Sequence, residues 1–197
     1  MLDLAKINYV PFPIDNFKLL QSEVASMYRN FIDSADALTA TSVDWTATNL
    51  PLTFKTVNDK FEKLGAKVTR ARLFLTLPNS TMAAHIDGTS VVDTYWALNI
   101  PIEVEDNNHW HEWYSYNGEL ISNNNSTYTD YIKPADPSQL IVADRLCFNT
   151  PHLVKVGTFH GVVNNSNKKR VMLSIRFSTA SIEFLLILAQ KLLQQNT

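Results

Sequence analysis

Two histidines, an aspartate and an arginine have the residue types and spacing that metal chemistry would require. His85 and Asp87 are two positions apart, so on an extended chain their side chains lie on the same face. An imidazole and a carboxylate placed in this way can bind one metal ion. A second imidazole, from His160, would complete a facial set of three ligands for Fe(II) and leave three coordination positions for a co-substrate and O₂.

Arg170 follows His160 by ten residues, across the Asn-rich stretch 164–167. The pattern of strand, turn and strand predicts a hairpin that brings His160 and Arg170 onto neighbouring strands. A guanidinium in that position would reach the far carboxylate of a dicarboxylate bound to the metal. It would grip that carboxylate with two hydrogen bonds and offset its negative charge.

The segment 170–178 alternates cleanly between two kinds of side chain, which predicts a strand with two different faces. The apolar face is expected to lie under helices. The other face would line a polar cavity inside a small barrel, or would meet water if the strand lies at an edge. The apolar face holds Val171, Leu173, Ile175 and Phe177, and the other holds Arg170, Met172, Ser174, Arg176 and Ser178.

The sequence His85-Ile86-Asp87, the distal His160 and the later Arg170 together resemble the signature of the Fe(II)/2-oxoglutarate-dependent oxygenase superfamily. The stretches 160–173 and 96–102 are similar to the aspartyl/asparaginyl β-hydroxylase-like branch. The resemblance covers about residues 68–178. It implies a mainly β fold with flanking helices, built on a double-stranded β-helix core of the jelly-roll, cupin-like type.

The resemblance also implies roles for individual residues. His85, Asp87 and His160 would bind Fe(II), and Arg170 would bind the C5 carboxylate of the co-substrate 2-oxoglutarate. With O₂, this site would hydroxylate a C–H bond of an amino-acid-like, peptide or small-metabolite substrate. Members of the β-hydroxylase branch can lack the metal-binding carboxylate, so the presence of Asp87 weakens the transfer of that branch's peptide substrate.

Further residues are candidates for binding the co-substrate or the substrate. Met172 stands where many superfamily members have a small polar residue, and Ser174 is expected to take that role. Asn99 is a second candidate contact of the co-substrate. Candidate substrate contacts are Arg72, Trp96, Tyr114 and Arg176, although packing in a sheet core is the alternative for the aromatic residues and an exposed position or an ion pair is the alternative for Arg72.

Other histidines could provide a different metal site. His109 and His111 share a strand face and could serve a cupin-like metalloenzyme, but the carboxylate expected three or four residues later is absent. His152 could replace His160, although its distance from Arg170 does not suit one hairpin. A third hypothesis is a non-catalytic jelly-roll module for binding or assembly, in which the candidate ligands would be scattered.

The surrounding elements follow from periodicity. Helices are predicted over 15–32 with Asp15 as the N-cap, from 56 or 57 to 64, and over 181–193. A long Asn- and Ser-rich loop over 117–137 is typical of a lid. Strands are predicted over 68–77, 90–102, 110–116, 139–148, 153–156, 159–164 and 170–178. One oxygenase-like domain is expected over 1–197, with a helical part at about 1–66, the jelly-roll core at about 67–178 and a terminal helix at about 180–194.

Composition narrows the class of protein. The chain has 197 residues and a net charge of −2, which gives no reason to expect nucleic acid or an anionic membrane as partner. No apolar run approaches the ~20 residues that span a bilayer. The single cysteine, Cys147, is expected to be a small buried side chain. A cytoplasmic location is the default prediction, and the almost wholly apolar terminal helix either packs on the sheet or joins two copies in a homodimer.

Overall fold

The computed structural model describes residues 6–43, 55, 58–59, 62, 68–87, 96–105, 107–123, 131–147, 149–177, 184, 186–188, 190–191 and 194. Two antiparallel six-stranded sheets make up most of this part of the chain. The predicted jelly-roll fold class is confirmed. Among the described residues, no helix is long and apolar enough to cross a membrane.

From β3 to β6 and again from β9 to β12, successive strands alternate between the two sheets. The first sheet has the order β1-β10-β5-β12-β3-β2, and the second has the order β7-β8-β4-β11-β6-β9. The strand bounds are β1 Tyr9–Pro11, β2 Thr39–Ser42, β3 Val68–Thr76, β4 Ser80–Asp87, β5 Trp96–Glu103, β6 His109–Ser115, β7 Leu120–Asn123, β8 Tyr131–Pro134, β9 Ile141–Leu146, β10 His152–Lys155, β11 His160–Asn164 and β12 Arg170–Phe177.

Two helices cover the outer face of the first sheet. They are α1, Phe17–Met27, and α2, Arg29–Ser34. Leu20 and Val24 of α1 pack in one buried cluster with Leu173 of β12 and Leu98 of β5. The apolar face of β12 therefore lies under helices as predicted, because burying that face contributes roughly 1.5–3 kcal/mol for each large side chain.

The helical prediction over 15–32 is only partly correct. The helix breaks at Tyr28, whose backbone has left the helical range, and it begins after Asn16, which has a left-handed conformation. Asp15 is therefore not the N-cap. Most of the helix predicted near 56–64 lies outside the described residues, as do residues 90–95 of the strand predicted over 90–102.

The described residues of the terminal segment are helical from Phe184 to Gln194. Leu186 is buried in the core under the first sheet, and Leu188 packs against the same cluster. Phe184 and Ile187 are exposed. The helix therefore packs on the sheet with one face and leaves part of its apolar surface uncovered.

The stretch 117–137, predicted as a lid-like loop, contains structure of its own. Strands β7 and β8 pair with each other, and β8 extends the second sheet by pairing with β4. Residues 124–130 lie outside the described part of the chain. Half-buried and buried side chains alternate along β8, as in a strand with one face toward solvent. The Asn-rich flank obscures this alternation in the sequence.

The predicted hairpin of β11 and β12 is also wrong. β11 pairs with β4 and β6, whereas β12 pairs with β3 and β5 in the other sheet. The connection therefore crosses from one sheet to the other. This crossover still brings His160 and Arg170 to one cavity. The cavity lies between the two sheets, and each of these side chains points into it from its own sheet.

Buried polar bonds hold this crossover together. The amide of Asn164 donates to the carbonyl oxygens of Leu77 and Lys168, at 2.8 and 2.9 Å. Its side-chain oxygen accepts a bond from the Ser166 hydroxyl at 2.8 Å. Asn164 is fully buried, so each lost partner would leave a desolvated group unsatisfied.

Candidate metal and co-substrate site

A cavity of about 400 Å³ lies between the two sheets. His85 and Asp87 enter it from β4, and His160 enters it from β11, so these three come from neighbouring strands of the second sheet. Arg170, Ser174 and Arg176 enter from β12 of the first sheet. The alternation of β12 therefore places its polar face on the cavity, as the sequence predicts.

The candidate metal ligands converge. His85 Nε2 lies 3.3 Å from Asp87 Oδ1, and His160 Nε2 lies 4.0 Å from Asp87 Oδ2. In the part of the chain that the structure describes, this is the one group of three His, Cys, Asp or Glu residues with ligand atoms all within 4.8 Å of one another. The donor set of two imidazoles and one carboxylate fits Fe(II).

Strand register explains this convergence. His160 is directly opposite His85 in the pairing of β11 with β4, and a bulge follows between His160 and Val162. The extra residue of the bulge is on β4, and Gly161 of β11 lies opposite it, where a Cβ would be 3.0 Å from the Met82 carbonyl oxygen. The absence of a side chain allows β11 to approach β4 closely at the step that orients His160.

Backbone carbonyls orient both imidazoles. His85 Nδ1 lies 2.9 Å from the Ala83 carbonyl oxygen, and His160 Nδ1 lies 2.9 Å from that of Thr158. A carbonyl oxygen can only accept, so each Nδ1 carries the proton and donates it. Each Nε2 is then the lone-pair nitrogen that a metal requires, in the arrangement common for metal-ligating histidines.

The charges of the cluster also suit a metal. Burial alone would raise the pKa of Asp87, but the Arg176 guanidinium and the two imidazoles outweigh burial and hold that pKa well below its usual range. Burial, with the nearby positive charge of His85, lowers the pKa of His160 to about 3. Burial would lower the pKa of His85 too, but the hydrogen bond and charge of Asp87 raise it.

Arg176 and Asp87 form an ion pair across the space between the two sheets. Arg176 Nη2 donates to Asp87 Oδ2 from the facing sheet, and both side chains are nearly buried. The alternation of β12 predicts that Arg176 faces the cavity, but no sequence signal identifies its partner. The pair fixes one carboxylate oxygen and makes Arg176 a neighbour of the candidate metal ligand.

Arg170 lies in the cavity wall with only 3% of its surface exposed. Burial lowers its pKa to about 10. Its Nε is buried and makes no hydrogen bond within the described residues. A buried cation with an unsatisfied donor is what a carboxylate ligand would satisfy.

A row of polar side chains crosses the first sheet on the cavity side. Ser174 of β12 is directly opposite Arg72 of β3 and also directly opposite Asn99 of β5. All three residues line the cavity. The Oδ1 atom of Asn99 is buried and has no hydrogen-bond partner within the described residues, so this row can receive a polar ligand.

Two predicted substrate contacts lie elsewhere, and both are corrected. Trp96 is buried in the cluster under the helices, because it shares a face of β5 with Leu98 and Ile100. Tyr114 packs against Ile86, Ile132 and Phe159, and its hydroxyl donates to Glu112 Oε2 at 2.8 Å. Neither residue lines the cavity. On its strand, each side chain points away from the face that carries the cavity-lining residues, Asn99 on β5 and His111 on β6.

The other histidines do not form a second cluster among the described residues. His111 lines the cavity with its ring stacked on that of His160, at 5.2 Å between centroids. His109 lies 3.9 Å from the sulfur of Cys147 instead, and that cysteine is half-buried rather than fully buried. His152 contacts the Thr150 carbonyl oxygen and the Tyr9 ring. The cupin-like hypothesis therefore lacks a third ligand.

Comparison of the sequence with family models and with curated proteins finds no significant match. The fold resembles solved structures at low identity. One is the epimerase SnoN in complex with Fe³⁺, alpha ketoglutarate and nogalamycin RO, with a TM-score of 0.54 and 10% identity, covering 86% of this chain and 77% of SnoN.

Two prolyl hydroxylases are also similar in structure. A Pseudomonas putida prolyl-4-hydroxylase has a TM-score of 0.53 and 11% identity, covering 89% of this chain and 94% of its own. The viral collagen prolyl hydroxylase of Paramecium Bursaria Chlorella virus-1, solved as a 2OG complex, has a TM-score of 0.54 and 11% identity, covering 89% and 98%. These similarities show that the chain shares their fold.

Proposed function

We propose that this protein is an Fe(II)- and 2-oxoglutarate-dependent oxygenase that hydroxylates a C–H bond. One observation carries the proposal. The ligand atoms of His85, Asp87 and His160 converge in the same cavity that the buried Arg170 lines from the opposite sheet. The fold shared with SnoN and the viral prolyl hydroxylase supports it, since SnoN is described with Fe³⁺ and alpha ketoglutarate and the viral enzyme with 2OG.

The residues fit the metal in charge as well as in type. At neutral pH the low pKa of Asp87 keeps the carboxylate ionised, and the low pKa of His160 keeps that imidazole neutral. Both imidazoles direct Nε2 to the same place because both Nδ1 atoms donate to carbonyl oxygens. With Fe(II) and 2-oxoglutarate bound, the site would supply the oxidising power of O₂ for C–H hydroxylation.

The residues also fit the co-substrate. Arg170 would hold the C5 carboxylate, since its guanidinium is buried and its Nε lacks a partner within the described residues. Ser174 and Asn99 are proposed as further contacts of the co-substrate from the same sheet. Arg176 would hold one oxygen of Asp87 in place and keep that group ionised.

Apolar side chains also line the cavity and would keep water from the reacting groups. They include Met82 of β4, Val162 of β11 and Met172 of β12. Exclusion of water strengthens the electrostatic interactions of the site and protects reactive species from side reactions. The protein thus contributes orientation, charge and a dry cavity, while the bound groups carry the oxidation.

Finer statements remain predictions. These are the aspartyl/asparaginyl β-hydroxylase-like branch, one oxygenase domain over 1–197, a cytoplasmic location and a homodimer. The exposed Phe184 and Ile187 of the terminal helix are the side chains that a second copy would cover. The hypothesis of a non-catalytic jelly-roll module requires scattered ligands, and their convergence argues against it.

The proposal is tested by two measurements on purified protein. Anaerobic titration should show that 2-oxoglutarate binds only when Fe(II) or Mn(II) is present. Incubation with Fe(II), ascorbate, O₂ and 2-oxoglutarate should then release succinate, and candidate substrates should increase the rate. The proposal fails if 2-oxoglutarate does not bind in a metal-dependent way and no succinate forms with any substrate pool.

A further inference from the structure

Partners account for most of the positive charge in the cavity wall. Five cationic side chains of the described residues line the cavity, and partners are present for Arg70, Arg72 and Arg176. Arg170 is the proposed anchor of 2-oxoglutarate. The fifth is Lys133 of β8, whose ammonium group lies 4.9 Å from the centroid of the Tyr131 ring. Within the described part of the chain, Lys133 forms no ion pair or hydrogen bond.

The aromatic contact positions this ammonium group without neutralising it. A cation over a ring is attracted by the electrons of the ring, but it keeps its charge and its three N–H donors. Lys133 is half-buried, so its charge is partly withdrawn from water. An oxyanion bound here would receive charge-assisted hydrogen bonds, which are stronger than those between neutral groups.

Strand register places Lys133 beside the candidate metal ligands. Tyr131 of β8 is directly opposite Asp87 of β4, and residues two apart on a strand point to the same face. Lys133 and Tyr131 therefore both line the cavity. The Tyr131 ring meets the His85 imidazole edge to face, with 6.0 Å between centroids. The ammonium group is thus separated from the nearest metal ligand by about the width of one aromatic ring.

Lys133 lies at the rim of the cavity. Its neighbour on the other side is Ile121 of β7, which is directly opposite it and 50% exposed. None of the described residues of β7 lines the cavity, so on this side the wall ends at β8 and solvent begins. A ligand that enters from solvent would therefore meet the ammonium group before it reaches the metal ligands.

Lys133 is also distinct from the proposed anchor of 2-oxoglutarate. Arg170 enters the cavity from β12 of the first sheet, whereas Lys133 enters from β8 of the second. Bound Fe(II) and doubly negative 2-oxoglutarate would cancel each other in charge, so they would not provide a counterion for Lys133. The ammonium group would thus remain available to a second anion when the metal and the co-substrate are bound.

We infer that the substrate is a small acid whose oxyanion, a carboxylate or a phosphate, is bound by Lys133 at the rim of the cavity. Its carbon chain passes along the Tyr131 ring toward the metal ligands, where the C–H bond is oxidised. The cavity of about 400 Å³ is in the range for a small molecule. The fate of the acid rests on the proposed function, which this inference deepens, whereas its binding depends only on the position and charge of Lys133.

The test uses probes that differ only in the head group. Hexanoate, hexyl phosphate and the neutral hexanamide are titrated by calorimetry into protein saturated with Zn(II) and N-oxalylglycine, an inert analogue of 2-oxoglutarate. With the metal and Arg170 occupied, at least one anion should bind about fivefold or more tightly than the amide, as expected for a charge-assisted bond to a half-buried ammonium group. The tighter of the two anions identifies the head group as a carboxylate or a phosphate.

Variants assign the preference to Lys133. Lys133→Met should bind acid and amide equally, and Lys133→Arg should retain a preference for the acid because the charge is kept. Lys18→Met is the matched control, since Lys18 also lies over an aromatic ring, that of Phe17, but outside the cavity. A purely structural role of Lys133 would change stability and leave the preference intact. Equal binding of acid and amide by the parent, no binding of either acid, or a full preference in Lys133→Met would overturn the inference.

A further arm separates this inference from the proposed function. If N-oxalylglycine does not bind with Zn(II), the proposed function fails. The probes are then titrated into metal-free Arg170→Met protein, in which the proposed co-substrate anchor is removed. A preference for an acid that is lost when Lys133→Met is added would support the anion site by itself, and its absence would refute that site.

Discussion

Replacing Arg170 by Met should stabilise the ligand-free protein while weakening the binding of 2-oxoglutarate by roughly 100-fold or more. Arg170 is 3% exposed, and its Nε has no hydrogen-bond partner within the described residues. Burial lowers its pKa to about 10. Against an ordinary value of about 12.5, this corresponds to about 3 kcal/mol by which burial disfavours the charged form at neutral pH.

The sign follows from the direction of that shift. Below pH 10 Arg170 is charged in both the folded and the unfolded chain, and only the folded chain keeps the charge out of water. The folded state therefore bears the cost across the neutral range, and Met, of similar length and no charge, removes it. We expect an increase in unfolding free energy of about 1–3 kcal/mol, or roughly 2–4 °C in Tm per kcal/mol for a chain of this size.

The same substitution removes the proposed anchor of the co-substrate. Breaking a buried charge pair by removing one partner costs about 3–5 kcal/mol, which is a loss of roughly 100-fold or more in affinity for 2-oxoglutarate. Thermal unfolding of the ligand-free protein gives the first quantity, and calorimetric titration with Mn(II) and 2-oxoglutarate gives the second. Arg145→Met is the control, since Arg145 is exposed, lies over the Trp110 ring and does not line the cavity.

The two results together decide the matter. If the variant is more stable and has lost its affinity for 2-oxoglutarate, Arg170 serves ligand binding and lowers the stability of the ligand-free protein. A variant that is destabilised and binds 2-oxoglutarate within about threefold of the parent would show that Arg170 has a structural partner and that the co-substrate lies elsewhere.

Three further outcomes are expected. His85→Ala should lower the affinity for Mn(II) by about 100-fold or more, as expected for loss of a ligand, whereas His109→Ala should leave it unchanged; equal losses in a metal titration would revive the alternative site. The pKa of His85 is raised, and a metal needs the neutral ring. The affinity for Mn(II) should therefore fall by about tenfold per pH unit below that pKa. An affinity that stays constant between pH 5.5 and 8 would contradict the assignment of His85 as a ligand. Asn164→Ala should lower the unfolding free energy by about 2–4 kcal/mol, because it breaks the buried bonds of the crossover; urea denaturation measures the change, and a loss below about 0.5 kcal/mol, typical of a surface position, would refute it.

The sequence predicted the cavity-facing side of β12 correctly because both faces of that strand are strongly patterned. Val171, Leu173 and Ile175 pack under the helices, while Arg170 and Ser174 line the cavity. The same reasoning from a spacing of two brought His85 and Asp87 to one face. The alternation of side chains depends only on the strand itself, so it can be predicted without knowing which strands pair with it.

What the sequence could not provide was the pairing of strands. The interval from His160 to Arg170 suits a hairpin, yet the chain crosses between sheets there, since Asn164 binds the carbonyl oxygens of Thr76 and Leu77 in the facing layer. Trp96 is a candidate substrate contact from the sequence, with packing in the core as the alternative, and its strand parity with Leu98 places it in the core. The ion pair of Arg176 with Asp87 depends on two sheets meeting and has no local signal.

Because the chain crosses from one sheet to the other between β11 and β12, the distance between the sheets sets the length of a ligand that can bridge them. Under the proposed function, a metal bound to the second sheet and Arg170 in the first would lie on layers that stand about 10 Å apart. A diacid that bridges them would then be selected by its number of carbons, because a homologue shorter by one methylene would not reach the guanidinium and one longer would press against the wall.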